Sequence, residues 1–102
     1  MPLTYKVFYT PQAEEDIYQI ALSLAGVTWV HSVEKWIGRI LDRVNALAVF
    51  PEGGAVYELD DRFRSVKVGK YRIIYEIYKK ERAVAILRVV YARRDLKKIM
   101  LE

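Results

Sequence analysis

At 102 residues, 53% apolar and 29% charged, the chain has room for one core and the composition of an ordered globular domain, not a disordered one. It has no cysteine, which excludes disulfides and thiolate metal sites, and no stretch approaches the roughly 18 apolar residues of a membrane span. The net charge of +4 is uneven: residues 1–51 carry four Lys/Arg against five Asp/Glu, residues 52–102 thirteen against eight. The basic second half suits either a polyanion or acidic partner, or a solvated face. The first residues show no apolar run to act as a signal peptide, so the expectation is a soluble, cytoplasmic protein.

Tyr5-Lys6-Val7-Phe8-Tyr9 is aromatic and β-prone and reads as a first strand. Thr10-Pro11 ends it. Proline disfavours the α region at Thr10, which suits an N-cap, and is itself tolerated at the first helical position. Glu14, Glu15 and Asp16 then place negative charge at the positive end of a helix dipole. Ala13, Ile17, Ile20, Ala21 and Leu24 recur at helical spacing, predicting an amphipathic helix from 11 to about 25 that stops near Gly26.

A second apolar stripe, Trp29, Val33, Trp36, Ile37, Ile40, Leu41, Val44, Leu47 and Ala48, predicts a helix of about twenty residues, or roughly 30 Å. Phe50-Pro51 closes it, and the two helices are expected to pack as an αα-hairpin. Pro51-Glu52-Gly53-Gly54 is a clear break. Beyond it the period changes to two. Residues 63–68, 71–78 and 83–91 read as strands, the last two joined by the polar hairpin loop Lys79-Lys80-Glu81-Arg82. Residues 93–100 are expected to form a short amphipathic C-terminal helix or tail.

The fold expected is therefore α+β: an N-terminal strand, an αα-hairpin, and a three-stranded antiparallel meander, with helices on one face of a single sheet. No repeat or linker divides residues 1–102, so one domain is expected. Alternation puts Ile73, Tyr75 and Ile77 on one face, with Arg72, Ile74, Glu76 and Tyr78 on the other. In the last strand Ala85, Leu87, Val89 and Tyr91 oppose Val84, Ile86, Arg88 and Val90. Both faces are largely apolar, so the one away from the helices needs a cover, either the C-terminal tail or a partner.

Cations gather in this half: Arg62, Arg64, Lys67, Lys70, Arg72, Arg88, Arg93, Arg94, Lys97 and Lys98. Most read as solvated surface charge. Arg72 and Arg88 stand apart because they interrupt strand patterns, where a cation is expected to be paired or functional. Glu76, two residues from Arg72 on the same face, is an available partner. Catalytic signatures are mostly negative. The lone histidine, His31, falls on the second helix, and there is no phosphate-cradling glycine loop and no metal-ligand spacing, so no cofactor or metal is expected. Any chemistry must come from Arg, Lys, Tyr and Glu58. RNA backbone cleavage could use such a set, since the 2′-hydroxyl is the nucleophile and cations stabilise the pentacoordinate phosphate. Arginine's high pKa makes it a poor general base, however.

The chain resembles the RelE/ParE superfamily of toxins from type II toxin–antitoxin systems over nearly its whole length. The resemblance is carried by Ala13-x-x-Asp16-Ile17 after the first strand and by Phe50-Pro51 followed by glycines. It is carried most strongly by Arg64-Ser65-Val66-Lys67-Val68-Gly69-Lys70-Tyr71-Arg72-Ile73-Ile74-Tyr75 with the closing Arg93-Arg94-Asp95. It implies a growth-inhibiting toxin neutralised by a cognate antitoxin protein wrapping the helical hairpin and sheet, with operator DNA reached only through that antitoxin.

The superfamily divides in its target. RelE-like members cut messenger RNA in the ribosomal A site, whereas ParE-like members poison DNA gyrase. If this chain were RelE-like, a metal-independent endoribonuclease, the resemblance would make Arg72, Tyr91 and Arg93 catalytic. Arg64, Lys67, Arg88, Arg94 and Lys97 are the implied nucleic-acid or target-binding cations. Residues 95–102 lack the tyrosine that RelE-like enzymes place in the tail, and the chain looks slightly more ParE-like. Whether it is an enzyme stays open, as does the further alternative of a non-toxic nucleic-acid-binding module.

Overall fold

In the computed structural model, which describes residues 4–27 and 30–92 (side chains of 27, 30 and 31 excepted), the chain begins with β1 (Lys6–Tyr9). Helices α1 (Pro11–Val27) and α2 (Val30–Val49) follow, then a 3₁₀ turn at Pro51–Gly53. The rest of the sheet is β2 (Ala55–Val56), β3 (Phe63–Val68), β4 (Tyr71–Tyr78) and β5 (Ala83–Tyr91). The α+β expectation holds, and the last three strands have the bounds read from the sequence. The expected C-terminal helix lies outside the described residues.

The sheet has five strands in the order β1-β5-β4-β3-β2. β1 lies parallel to β5, with Tyr9 opposite Ile86, and the other pairs are antiparallel. Sequence reading missed β2, whose two exposed residues are too few to show a period. The helices pack on one face. Ala13, Ile20 and Leu24 of α1 and Ile40, Val44 and Leu47 of α2 close on Val66, Val68, Tyr71, Ile73, Tyr75, Val84, Ile86 and Val89. Each such aliphatic side chain contributes roughly 1.5–3 kcal/mol on burial, so this layer dominates stability.

One helix boundary shifts by a residue or two and one face assignment fails, each for an identifiable reason. α1 runs through Gly26 to Val27. An isolated glycine costs a helix only about 1 kcal/mol relative to alanine and does not end one unless the chain must turn there. The face assignment in β5 also breaks. Tyr75 pairs with Ile86 but Ile74 with Arg88, leaving Leu87 as an extra residue. Past this bulge the alternation is displaced by one. Ile86 and Val89, three apart, both join the helix-side core, while Leu87 and Val90 join the opposite face. There a smaller cluster forms from Tyr57, Ile74 and Val90 with Phe63 and Leu87.

Two close approaches lock the sheet to its connections. The two-residue turn between β3 and β4 begins at Gly69 with φ of +57°, where a side chain is both strained and blocked by the Trp36 ring. At the other end of the sheet the buried Tyr75 hydroxyl donates to the Pro51 carbonyl (2.7 Å) and accepts from the Gly54 N–H (2.9 Å). The 3₁₀ turn is thereby pinned to the middle of the sheet.

Candidate functional site

β1 ends at Tyr9, so the edge of β5 beyond Ile86 has no strand beside it, and its polar groups need other partners. Two residues at the start of α1 supply them. The Thr10 hydroxyl accepts from the Ala13 N–H (3.1 Å) as an N-cap, and donates toward the carbonyls of Ile86 (2.9 Å) and Leu87 (3.1 Å) at the bulge. One turn later Asp16 accepts from the Val89 N–H (2.9 Å) and from Arg88 through Nε (2.8 Å) and Nη2 (3.1 Å). Both side chains are largely shielded, Arg88 at 14% exposure and Asp16 at 10%. Asp16 is thus more than a helix-start charge. The Ala13-x-x-Asp16 spacing serves this junction, setting a small buried residue and a carboxylate one turn apart on the face turned to β5. Arg88, expected as a target-binding cation, is paired inside the fold.

Arg72 projects from β4 on the face away from the helices. Its Nε donates to Ser65 Oγ on β3 (3.0 Å), and its guanidinium carbon lies 5.2 Å from the centre of the Tyr57 ring. Nη1 and Nη2 fork onto the Glu58 carboxylate at 3.0 Å and 2.7 Å. The expected partner, Glu76, instead accepts from the Tyr78 hydroxyl (2.9 Å). The Arg72 hydrogen bonds are the main cause holding the Glu58 carboxyl below its ordinary range, with Lys67 adding a smaller pull. Lys67 is the exposed cross-strand neighbour of Arg72 and shares its face. In the same loop Arg62 grips Asp60 at 2.6 Å and draws its carboxyl down to about 2. That pair is exposed and adds little to stability.

Tyr91 lies elsewhere. It pairs with Tyr71, one position on from the Arg72–Val90 pair, so it turns to the helix side. Its ring centre is 5.2 Å from that of Tyr71, which meets Trp36 edge-on at 6.0 Å. Burial, and then the neighbouring Tyr91, push the Tyr71 hydroxyl up to about 12. Lys70 stands over both rings, and Arg39 over Trp36 at 4.9 Å. An open cleft of about 650 Å³ is lined there by Lys67, Gly69, Lys70, Tyr91 and Ala92.

Of the expected site residues, then, Arg72 and Lys67 share a face and Tyr91 stands on the other. Arg64 also faces the helix side, donating to the Gly54 carbonyl at 2.8 Å and bracing the 3₁₀ turn. Arg93, Arg94 and Lys97 lie outside the described residues. Sequence reasoning missed Ser65 and the pairing of Glu58 with Arg72. Glu58 sits in a loop, where no periodicity announces which strand it meets. Among the described residues no group of three or more His, Asp or Glu could hold a metal ion, and no helix is long and apolar enough to cross a membrane.

A family model described as the ParE toxin of the type II toxin–antitoxin system parDE matches residues 7–96. No curated protein matches the chain in sequence. Among solved structures, a chain of the chromosomal ParDE TA system from P. aeruginosa is similar, with a TM-score of 0.75 at 16% identity, covering 86% of this chain and 96% of that one. A chain of the RelBE2 toxin–antitoxin complex from Mycobacterium tuberculosis gives 0.65 at 22% identity, covering 87% and 99%. One from the archaeal RelE–RelB complex of Pyrococcus horikoshii gives 0.60 at 20% identity, covering 89% and 98%. At these identities the structural likeness shows the fold, a five-stranded sheet backed by a helical hairpin.

Proposed function

The chain belongs to the ParE toxin family of type II toxin–antitoxin systems, and from that premise we propose that it arrests growth by acting on DNA gyrase without cutting RNA, until a cognate antitoxin neutralises it. One observation carries the non-nucleolytic reading: the cation best placed to hold a phosphate is already engaged. Arg72 is spent on Glu58 and Ser65, and Tyr91, the tyrosine that a cleavage reaction would need beside it, turns to the other face. General acid–base catalysis needs its groups within hydrogen-bond reach of one reacting centre. The complexes of similar fold, ParDE and RelBE2 among them, support a cognate antitoxin as partner.

A second reading rests on Glu58. A carboxylate touching an arginine beside a lysine is also an arrangement that can accept a 2′-hydroxyl proton while cations stabilise the phosphate, as an mRNA interferase would require. Expression without antitoxin separates the two. The expected result is growth arrest relieved by the antitoxin, inhibited supercoiling by purified gyrase, and intact message in a purified translation reaction. Transcripts cleaved by the wild type and spared by Arg72→Ala would establish the second reading. Unimpeded growth would exclude both.

A further inference from the structure

We infer that one flank of the molecule, where α2 passes the turn between β3 and β4, is a docking surface for the backbone of duplex DNA, with Lys35, Arg39, Arg43 and Lys70 as its contacts. The choice of duplex rests on gyrase as the proposed target, because DNA is what that enzyme holds.

The chain uses its cations in two ways. Among the described residues Arg62, Arg72 and Arg88 each hold a carboxylate, and Arg64 braces the 3₁₀ turn. Lys35, Arg39, Arg43 and Lys70 make no ion pair with any described residue, and they lie together. The first three recur every four residues, so they form one row down α2, about 6 Å apart and about 12 Å long. The row lies on the Trp36 side of α2, away from Leu41, which faces the cleft beside α1. Trp36 ties the row to the turn, its ring lying against Gly69, the residue before Lys70. Arg39 and Arg43 face the end of β3 across an open cleft of about 420 Å³ that Val68 and Gly69 line from the other side.

Aromatic rings, not carboxylates, hold two of these cations. Arg39 lies over Trp36 at 4.9 Å, and Lys70 over Tyr71 and Tyr91 at 5.8 Å and 5.7 Å. A cation on a ring face keeps its charge and its N–H donors for an outside partner. It also covers that face, so the flank presents charge where a protein partner would need an apolar anchor. A duplex fits the opposite description. It carries one charge per about 1.7 Å of axis, so a straight row of cations about 12 Å long meets several phosphates whatever the sequence. Asp42, exposed within the row, is the opposing charge and weakens the surface.

The test is an anisotropy titration of a short fluorescent DNA duplex with the purified chain across a range of salt, with no gyrase present. The expected dissociation constant is roughly 1–100 µM near physiological salt, and log K should fall against log salt with a slope of about −3 to −4, near −0.9 for each phosphate contact. Lys35→Gln with Arg39→Gln, both exposed and so harmless to the fold, should flatten the slope by about 2 and weaken binding about 10-fold. Lys79→Gln with Lys80→Gln removes the same charge beyond the far end of β4 and should change neither. Asp42→Asn should tighten binding by up to about 5-fold. The inference is overturned if the Lys35 and Arg39 pair leaves the slope unchanged, or if the Lys79 and Lys80 pair matches its effect. Polyglutamate binding as tightly as the duplex, with the same dependence on Lys35 and Arg39, would overturn it in favour of an acidic protein partner. Bare duplex needs no gyrase, so absent binding sinks this inference alone and leaves the gyrase reading to its supercoiling assay.

Discussion

Replacing Asp16 with alanine is expected to lower the stability of the folded chain by about 3–5 kcal/mol, measured as the shift in a denaturant unfolding midpoint at constant slope. The size follows from what the carboxylate leaves behind. Arg88 is largely shielded and donates two hydrogen bonds to Asp16, and the Val89 N–H donates a third. Without Asp16 a shielded guanidinium loses two hydrogen bonds to a carboxylate, and the Val89 N–H loses the acceptor that Asp16 provides. A small domain has about 5–15 kcal/mol in total, so the variant should be unfolded at modest denaturant concentration. Asp16→Asn keeps an acceptor for one N–H but not the charge, and should fall between. The double variant Asp16→Ala with Arg88→Met removes the shielded charge as well and should recover much of the loss, because replacing both members of a buried pair costs far less than replacing one. An Asp16→Ala variant within about 1 kcal/mol of wild type would contradict the whole account of this junction.

That junction shows where the sequence was legible and where it was not. The strand bounds at 63–68, 71–78 and 83–91 could be read because each run is bracketed by polar or glycine-containing turns and repeats with period two. The two helices were legible from their apolar stripes. What periodicity cannot carry is a one-residue insertion. The bulge at Leu87 displaces the second half of β5, so the face given to Val89 from simple alternation is inverted. Ion-pair partners were hidden for a related reason. Arg72 and Arg88 could be singled out as strand cations needing partners, but Glu58 and Asp16 meet them only through tertiary packing. Asp16 is 72 residues from Arg88. The nearest carboxylate in the strand pattern, Glu76, accepts from Tyr78 instead. Tyr91 and Arg72 look like neighbours in a list of site residues, yet their positions in register put them on opposite faces of the sheet.

The second large effect is expected at Gly54, and it depends on space rather than on backbone freedom. Gly54 has φ of −92° and ψ of 159°, extended values open to any residue. A Cβ there would nonetheless lie 2.7 Å from the Ser65 carbonyl oxygen, 2.8 Å from Val66 Cγ1 and 2.5 Å from the Tyr75 hydroxyl. Two of those neighbours belong to β3, which cannot retreat without disturbing its ladder with β4. The third is the hydroxyl that ties Pro51 and Gly54 to the sheet. Gly54→Ala is therefore expected to cost about 1–3 kcal/mol in overpacking. Any Tyr75 hydrogen bond broken in relieving the clash adds about 1–3 kcal/mol, because its partners are buried. Gly26→Ala is the matched comparison. It sits within α1 with nothing within 4 Å of the added Cβ, and should stabilise the chain by up to about 1 kcal/mol through helix propensity. Opposite signs for the same substitution would show that the turn, not glycine itself, sets the cost. The damage should also travel. Ser65 holds Arg72 Nε, so a displaced Ser65 loosens the guanidinium, and the Arg72 side-chain N–H signal in an NMR spectrum should shift in Gly54→Ala. Equal stability for the two alanine variants, or an unchanged Arg72 signal, would show that the added methyl at Gly54 is absorbed without moving Ser65.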